Sequence, residues 1–127
     1  MRFLLDSSFV IDYLNEIAAR QIGPAHAWFR RNRGAELWVS PVTSAEVLEG
    51  AADPGAVREA FRAFRWQTIG RQHAERAALR QGRAAQRMGE NDAWQVAVAE
   101  CLEAAIVGHD PRAFERLGEG YEDHRSP

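Results

Sequence analysis

Short apolar runs alternate along the chain with longer segments in which apolar residues recur at helical spacing. Residues 3–5 and 105–108 are uncharged runs that predict buried strands. Residues 36–40 predict another strand, and residues 66–69 and 121–124 predict two weaker ones. Short strands separated by helical segments are typical of a sheet whose strands are joined by helical crossovers.

The segments between the strands carry the period of amphipathic helices, as in the spacing of Val57, Phe61 and Phe64. Ser40 before Pro41 is typical of a helix N-cap. We predict helices after the first strand, over residues 17–33 with a break or kink at Pro24, over residues 41–52, after the turn at residues 53–55, over residues 71–88 up to Gly89, from an Asn91 N-cap to residue 103, and from Pro111. The pattern predicts an α/β fold, with helices on both faces of a mostly parallel sheet of about five strands.

The composition is that of a single globular domain. A typical domain has ~100–150 residues, so we expect one domain over residues 1–127. The chain has 46% hydrophobic residues and a mean hydropathy of -0.42. No apolar run approaches the ~20 residues of a membrane span, and Asp6 comes too early for a signal peptide, so we expect a cytoplasmic protein without a membrane partner. The one cysteine, Cys101, excludes an internal disulfide and is expected to be a small buried residue.

The basic residues limit the possible chemistry and are unevenly placed. All 16 are arginine, which excludes mechanisms that need a lysine, such as Walker-A nucleotide binding and Schiff-base catalysis. Residues 54–90 hold eight arginines and three acids, whereas the whole chain has a net charge of -2. This asymmetry favours a basic surface beside an acidic site, which suits a polyanion handled through bound cations.

Four arginines are spaced to form one stripe on the long helix predicted over residues 71–88. They are Arg76, Arg80, Arg83 and Arg87. We interpret the stripe as a substrate-binding track for the phosphates of such a polyanion, leading to the acidic site. The alternative, an ordinary solvated helix face, stays open on the sequence alone.

Four acids fall where a parallel α/β sheet binds its ligands, beyond the carboxyl ends of the strands. Asp6 ends the first strand, and Asp110 follows the fourth strand by two residues. Glu46 lies on the helix after the second strand, and Asp92 lies in the first turn of the helix before the fourth. If the first and fourth strands are neighbours, these acids can converge.

A cluster of acids needs a cation. Carboxylates held together raise each other's pKa and resist joint ionisation. Mg²⁺ or Mn²⁺ suits such hard oxygen ligands better than zinc, calcium or iron, and it can activate a water and stabilise a leaving oxygen. The sequence therefore predicts metal-assisted hydrolysis of a phosphodiester, with Asp6, Glu46, Asp92 and Asp110 as the catalytic and metal-binding residues.

Taken singly, most of these acids also have a structural explanation. Asp6 and Asp110 can cap the helices that follow them, and Asp92 can complement a helix dipole. Glu46 lies too far inside its helix to cap it. Asp12 is interpreted as a solvated or supporting acid.

Four groups of motifs occur in order over almost the whole chain. They are Leu5-Asp6-Ser7-Ser8 with Val10-Ile11-Asp12, Thr43-Ser44-Ala45-Glu46-Val47, Glu90-Asn91-Asp92-Ala93-Trp94 with Ala97 and Ala99, and Val107-Gly108-His109-Asp110 with Phe114. The ordered set resembles the PIN-domain ribonucleases, and most closely the VapC-type toxins of bacterial toxin–antitoxin pairs. The resemblance implies a three-layer α/β/α sandwich with strand order 3-2-1-4-5.

The resemblance also implies an activity and partners. The four acids would bind Mg²⁺, or Mn²⁺ in its place, and cleave RNA, while Ser8 would help to hold Asp6. The substrate would be tRNA or rRNA, and the protein would form a homodimer. A small antitoxin would inhibit it, and we expect an antitoxin arginine to compete with the metal for the acids.

Two residues depart from the family pattern. Gly108 stands where threonine or serine is frequent, which removes a hydroxyl from the site. Gln95 stands where an aliphatic residue is usual, and we expect this change to concern packing. The tryptophans are expected mostly in the core, and no acid–base constellation is recognised around His26, His73 and His124.

Other classes of protein fit the sequence less well. A haloacid-dehalogenase-like phosphatase needs a second aspartate two positions after Asp6 and a lysine, and a receiver domain needs the same lysine. A catalytically silent PIN-like module that binds RNA or a protein remains the alternative, although acids occupy all four positions.

Overall fold

Five strands form the central sheet in a computed structural model that describes residues 1–126. The strands are β1 (Arg2–Leu5), β2 (Glu36–Val39), β3 (Arg65–Trp66), β4 (Ala105–Gly108) and β5 (Tyr121–Asp123). Their order is β3-β2-β1-β4-β5, and every adjacent pair is parallel. The expected strand order 3-2-1-4-5 is confirmed.

Helices connect the strands and cover the sheet. They are α1 (Ser7–Ala19), α2 (Pro24–Arg31), α3 (Pro41–Glu49), α4 (Pro54–Phe61), α5 (Arg71–Arg83), α6 (Glu90–Leu102) and α7 (Pro111–Phe114), followed by a 3-10 helix (Glu115–Gly120) before β5. As predicted, Ser40 caps α3, because its hydroxyl accepts a hydrogen bond from the N–H of Val42 at 3.2 Å. None of the helices in the described part of the chain is both long and apolar enough to cross a membrane.

The side chains of β1 point alternately to the two faces of the sheet, and each face has its own apolar core. Phe3 and Leu5 pack with Phe9 of α1 and Trp28 of α2 on one face. Leu4 packs on the other face with residues of α6 and α7. Two cores separated by one sheet confirm the three-layer α/β/α arrangement.

The long helix predicted over residues 71–88 is wrong, because α5 ends at Arg83. The Gln81 side chain accepts a hydrogen bond from the N–H of Met88 at 3.0 Å and donates one to the carbonyl oxygen of the same residue at 2.7 Å. These bonds turn the chain back and bring Met88 into the core. Burial therefore overrides the helix propensity of the local alanines, and Arg87 lies outside the helix.

Other boundaries also differ from the predictions. The segment predicted as one helix over residues 17–33 forms parts of two, since α1 continues to Ala19 and Arg20 then adopts the left-handed conformation with φ 53°. Gly89, rather than Asn91, holds the N-cap position of α6. The third strand is shorter than predicted and begins one residue earlier, at Arg65.

Two side chains are less buried than the sequence predicted. Trp66 lies on the edge strand and is 49% exposed, so it is not a core residue. Cys101 is only partly buried. Trp28, by contrast, is fully enclosed and confirms the expectation for a core aromatic.

The carboxyl ends of β1 and β4 lie side by side, since Leu5 is in register with Val107. Asp6 therefore leaves the sheet beside the segment that carries Asp110. The beginning of α3 also lies at this edge, because the Thr43 hydroxyl donates to the carbonyl oxygen of Leu5 at 2.8 Å. This edge is where the sequence placed the functional site.

Candidate active site

Asp6 is the most deeply buried of the four predicted acids, with 5% of its surface exposed. Its Oδ2 accepts hydrogen bonds from the Ser8 hydroxyl at 2.8 Å and from the Ser8 N–H at 3.4 Å. Asp6 therefore caps α1, as the structural explanation proposed, and also lies at the predicted site. Burial raises the pKa of Asp6, and the Ser8 hydrogen bonds offset this only in part, while Asp110 raises it further.

The Ser8 hydroxyl occupies the space in which a side chain at position 108 would lie. A Cβ on Gly108 would be 2.7 Å from Ser8 Oγ and 2.7 Å from the Cβ of Asp6. The same hydroxyl accepts a hydrogen bond from the N–H of His109 at 2.8 Å. Gly108 thus lets β4 approach Asp6 closely, and Ser8 supplies a hydroxyl at the place where Gly108 has no side chain to supply one.

Glu46 and Asp92 approach the site on two helices. Glu46 lies in the second turn of α3 and Asp92 in the first turn of α6, and both are partly buried. Burial raises the pKa of Glu46, and the charges of Asp6 and Asp92 raise it further. Burial likewise raises the pKa of Asp92, to which Asp110 and Asp6 add, while Arg116 lowers it.

Asp110 follows β4 and caps the short helix α7. Its Oδ1 accepts a hydrogen bond from the N–H of Ala113 at 3.2 Å, and its own N–H donates to the Tyr121 hydroxyl at 3.1 Å. Burial raises the pKa of Tyr121, and the charges of nearby acids, Asp110 and Asp6 among them, add to that effect. Asp110 therefore combines a structural role with a place near Asp6 and Asp92.

The four acids form one electrostatic group, because each raised pKa among them includes a contribution from another member. The donors are carboxylate oxygens, which Mg²⁺ and Mn²⁺ prefer. Among residues 1–126, no set of three or more His, Cys, Asp or Glu side chains is already arranged to hold a metal ion. The group therefore fits a divalent ion by the chemistry of its donors.

A crevice of about 300 Å³ opens beside Asp92 and Asp110. Arg87, Arg112 and Arg116 line it together with these acids. Arg116 donates a hydrogen bond to a main-chain carbonyl oxygen in the segment after α5 at 3.0 Å, which fixes its position. Sequence reasoning missed Arg112 and Arg116, although both follow a strand-end acid within six positions.

A larger groove of about 980 Å³ runs along α5 and shares Arg116 with the crevice. Arg76, Arg80 and Arg83 line this groove, whereas the fourth arginine of the predicted stripe lines the crevice. Arg80 is paired with Glu100 at 2.6 Å. The single helical stripe is therefore wrong, because Arg87 lies outside the helix and lines the crevice instead of the groove.

Three histidines have acidic partners that sequence reasoning did not find, and one of them is His109, whose Nδ1 lies 3.0 Å from Asp123. His124 is buried and its Nε2 lies 2.8 Å from Asp12, which also accepts two hydrogen bonds from Arg125 at 2.8 and 2.9 Å. His26 Nδ1 lies 2.7 Å from Glu16. Sequence reasoning recognised no acid–base constellation around His26 or His124, because hydrogen bonds that form only in the fold leave no local pattern in the sequence.

Comparison with protein families identifies the class of the protein. The family model of the PIN domain matches residues 3–120, which is most of the chain. The protein therefore belongs to the PIN-domain family. No curated protein sequence matches the chain significantly.

Several solved structures share the fold. A toxin–antitoxin complex from Klebsiella pneumoniae contains a chain with TM-score 0.76 and 22% identity, covering 95% of this chain and 96% of that one. A chain of VapBC-1 from nontypeable Haemophilus influenzae has TM-score 0.73 and 19% identity, covering 98% of each chain. A chain of VapBC2 from Rickettsia felis, bound to a promoter DNA fragment, has TM-score 0.76 and 12% identity, covering 97% and 98%. At these identities the similarity establishes the fold.

Proposed function

We propose that this protein is a Mg²⁺- or Mn²⁺-dependent endoribonuclease that acts as the VapC-type toxin of a toxin–antitoxin pair. The observation that carries the proposal is that acids from four segments lie close enough to influence one another, with the pKa values of Asp6, Glu46 and Asp92 raised. Membership of the PIN-domain family supports a nuclease. Intact acids at all four positions favour catalysis over a silent binding module.

The chemistry follows from the donor set. Asp6, Glu46, Asp92 and Asp110 would hold the cation through carboxylate oxygens. When bound, the ion would lower the pKa of a water and stabilise charge on the leaving oxygen. Ser8 keeps the Asp6 carboxylate in one orientation, and one of the acids accepts the proton of the attacking water. We expect products with a 5′-phosphate and a 3′-hydroxyl.

RNA would reach the acids along the groove beside α5 and the crevice next to Asp92 and Asp110. The groove along α5 supplies Arg76 and Arg83, and the crevice supplies Arg87, Arg112 and Arg116 beside two of the acids. Arginines bind phosphates whatever the base sequence, so this surface would give affinity and leave selectivity to RNA shape or unstacked bases. A structured substrate such as tRNA or rRNA fits that division of tasks.

The partner would be a small antitoxin protein. The similar solved chains come from complexes described as toxin–antitoxin or VapBC, which supports such a partner here. An antitoxin arginine that reaches the acids would pair with them and compete with the cation, because guanidinium groups fit carboxylates well. We also propose a homodimer.

The test is cleavage of RNA by purified protein with and without Mg²⁺ or Mn²⁺, followed by mapping of the RNA ends. We expect cleavage only with the metal. Asp6→Asn should reduce the rate about 1,000-fold, since a metal centre supplies several kcal/mol and ~4 kcal/mol corresponds to that factor. Asp53→Asn is the matched control, because Asp53 is exposed, caps α4 and can be replaced there by asparagine.

The same experiment separates the proposed enzyme from a binding module. If the wild-type protein binds RNA but cleaves none with either metal, the enzymatic function is wrong. If Asp6→Asn cleaves as fast as Asp53→Asn while circular dichroism reports a folded protein, the assignment of the site is wrong. Brief expression in cells, with RNA ends compared between wild type and Asp6→Asn, would identify the RNA target.

A further inference from the structure

Gln95 is a polar side chain in the most deeply buried part of α6, with 1% of its surface exposed. Its Oε1 accepts a hydrogen bond from the Ser40 hydroxyl at 2.5 Å. Its Nε2 donates to the Thr43 hydroxyl at 2.7 Å, and Thr43 in turn donates to the carbonyl oxygen of Leu5 at 2.8 Å. We call these hydrogen bonds among Ser40, Gln95, Thr43 and Leu5 the Gln95 relay.

Each hydroxyl of the Gln95 relay both donates and accepts. Ser40 also accepts the N–H of Val42 and so caps α3, while Thr43 accepts from Gln95 and donates to β1. Ser40 and Thr43 are fully buried. Because each hydroxyl already donates one hydrogen bond and accepts another, the hydrogen bonds of the relay run in one direction and have little freedom to rearrange.

The relay joins the three segments that carry three of the four acids. Leu5 directly precedes Asp6. Thr43 precedes Glu46 by three positions, which places them on neighbouring turns of α3. Gln95 follows Asp92 by the same interval on α6. The relay therefore connects β1, α3 and α6 within about one helical turn of their acids.

Stability alone does not account for a glutamine at this position. An aliphatic side chain on α6 would be cheaper to bury and would pack against the same neighbours without a need for partners. Apolar packing, however, tolerates small shifts of one helix along another, whereas directed hydrogen bonds fix both distance and orientation. A site whose acids repel one another needs that restraint.

We propose that Gln95 is a positioning residue that, through Thr43 and Ser40, holds the segments bearing Asp6, Glu46 and Asp92 in the arrangement that binds the divalent ion. The inference rests on the proposed function. Gln95 contacts neither the ion nor the RNA. Its effect on metal affinity passes through the placement of the acids, as it does for supporting residues around metal sites in general.

The experiment is a titration of the purified protein with Mn²⁺, followed by the paramagnetic resonance of the free ion. Gln95→Met removes the relay with little change in volume, and we expect Mn²⁺ to bind about tenfold more weakly, since supporting residues typically contribute 10–100-fold. Leu102→Ala is the control, because Leu102 is a core residue at the far end of the same helix. It should lower the melting temperature and leave Mn²⁺ affinity unchanged.

A second pair of variants covers the case in which Gln95→Met does not fold. Thr43→Val removes the shared hydroxyl and should weaken Mn²⁺ binding to a similar extent, whereas Thr43→Ser keeps the hydroxyl and should retain wild-type affinity. The losses in Gln95→Met and Thr43→Val should not add in the double variant, because both break the same relay.

Two results would overturn the proposal, and they differ. If wild type binds Mn²⁺ and cleaves RNA, but Gln95→Met or Thr43→Val binds the ion as tightly as Leu102→Ala, the relay is only structural and the proposed function stands. If wild type binds no Mn²⁺ and cleaves no RNA, the proposed function fails and the positioning role fails with it.

Discussion

Asp6 and Glu16 both expose little surface, although Asp6 lies deeper in the protein, and the pKa values of their carboxylates shift in opposite directions. Asp6 at the end of β1 is 5% exposed and Glu16 near the end of α1 is 9% exposed. The pKa of Asp6 is raised by its burial. Burial acts in the same direction on Glu16, but hydrogen bonds outweigh it and the pKa of Glu16 is lowered. A small exposed surface alone therefore does not set the direction in which the pKa of a carboxylate shifts.

The difference lies in what surrounds each group. Glu16 accepts hydrogen bonds from the N–H groups of Gly23, Ala25 and His26, each at 2.9 Å, and contacts the His26 ring at 2.7 Å. It thus caps the N-terminus of α2 from the neighbouring helix. Asp6 has only Ser8 and the nearby main chain as donors and faces other acids. The Glu16 carboxylate is satisfied by donors within the fold, whereas the Asp6 carboxylate has fewer donors and lies near another acid.

Among the variants that test this contrast, Glu16→Ala should change the free energy of unfolding most. Buried N–H groups left without an acceptor cost ~1–3 kcal/mol each, and water can reach part of the junction, so we expect a loss of about 3 kcal/mol. Urea denaturation measures this loss. RNA cleavage at temperatures where the variant stays folded should be unchanged. An unaltered free energy of unfolding would contradict the contrast drawn between the two acids.

The pH dependence of the same junction has a definite sign. The folded pKa of Glu16 is lowered from its ordinary value of 4.5, so its contribution to stability is present above that pH and is lost as the pH falls through the lower folded value. The difference in stability between wild type and Glu16→Gln should therefore shrink below about pH 4.5. A difference that grows on acidification would show that the ionised form of Glu16 is not the favoured one.

Gly108→Ala should have the next largest effect, because it disturbs the setting of Asp6. The new Cβ would lie 2.7 Å from the Cβ of Asp6 and from Ser8 Oγ, so β1 or β4 must shift. Overpacking of this kind costs ~1–3 kcal/mol, and we expect about 2 kcal/mol together with weaker metal binding. Thermal unfolding and Mn²⁺ titration measure the two effects.

Gly82→Ala is the matched control for that substitution. Gly82 lies inside α5, and a Cβ there would meet no atom within 4 Å. Alanine should stabilise this helix by roughly 0.5–1 kcal/mol. If both glycine variants behave alike, the close approach of β4 to Asp6 has no energetic importance.

The signals that placed the candidate site in the sequence are local. An acid after an apolar run marks Asp6 and Asp110, and parallel strands bring their ends to one edge. The predicted helix to residue 88 failed for the opposite reason. The local alanines favour a helix, but the hydrogen bonds between the Gln81 side chain and the Met88 main chain, together with the burial of Met88 in the core, end it.

Contacts between remote parts of the chain had no signal to reveal them. Gln95 meets Thr43 across 52 positions, and His124 meets Asp12 across 112. A hydrogen bond of this kind imposes no period or spacing on the sequence. Gln95 is instructive, because its departure from the family pattern was visible as an anomaly while its partners became identifiable only in the fold.

Asp6→Asn should change the stability of the metal-free protein less than Glu16→Ala or Gly108→Ala, and it should raise the stability instead of lowering it. Without metal, the neutral amide keeps an acceptor for Ser8, gains a donor toward the neighbouring acids and removes a costly buried charge. We expect a rise in melting temperature of about 3–6 °C, which corresponds to ~1 kcal/mol in a domain of this size. Mn²⁺ should then stabilise wild type more than the variant. A metal-free variant less stable than wild type would mean that Asp6 is as well satisfied as Glu16.

The smallest expected effect concerns the positive charge beside the acids. Arg116 lowers the pKa of Asp92 and lines both the groove and the crevice, so under the proposed function it would contact an RNA phosphate next to the acids. In an Asp6→Asn background that binds RNA without cutting it, Arg116→Gln should weaken binding roughly threefold and reduce the salt slope by ~0.7, the value for one phosphate of a single strand.

Two further variants assign that effect to a phosphate contact. Arg33→Gln removes the same charge from an exposed position after α2 and should leave the slope unchanged. Arg116→Lys should restore the slope, because the charge rather than the hydrogen bond to the main chain sets it. If Arg33→Gln and Arg116→Gln lower the slope equally, the arginines act only through the net charge of the protein. The proposed metal-binding acids would then have no dedicated phosphate contact beside them. The difference between Asp6 and Glu16 would then say nothing about how RNA binds.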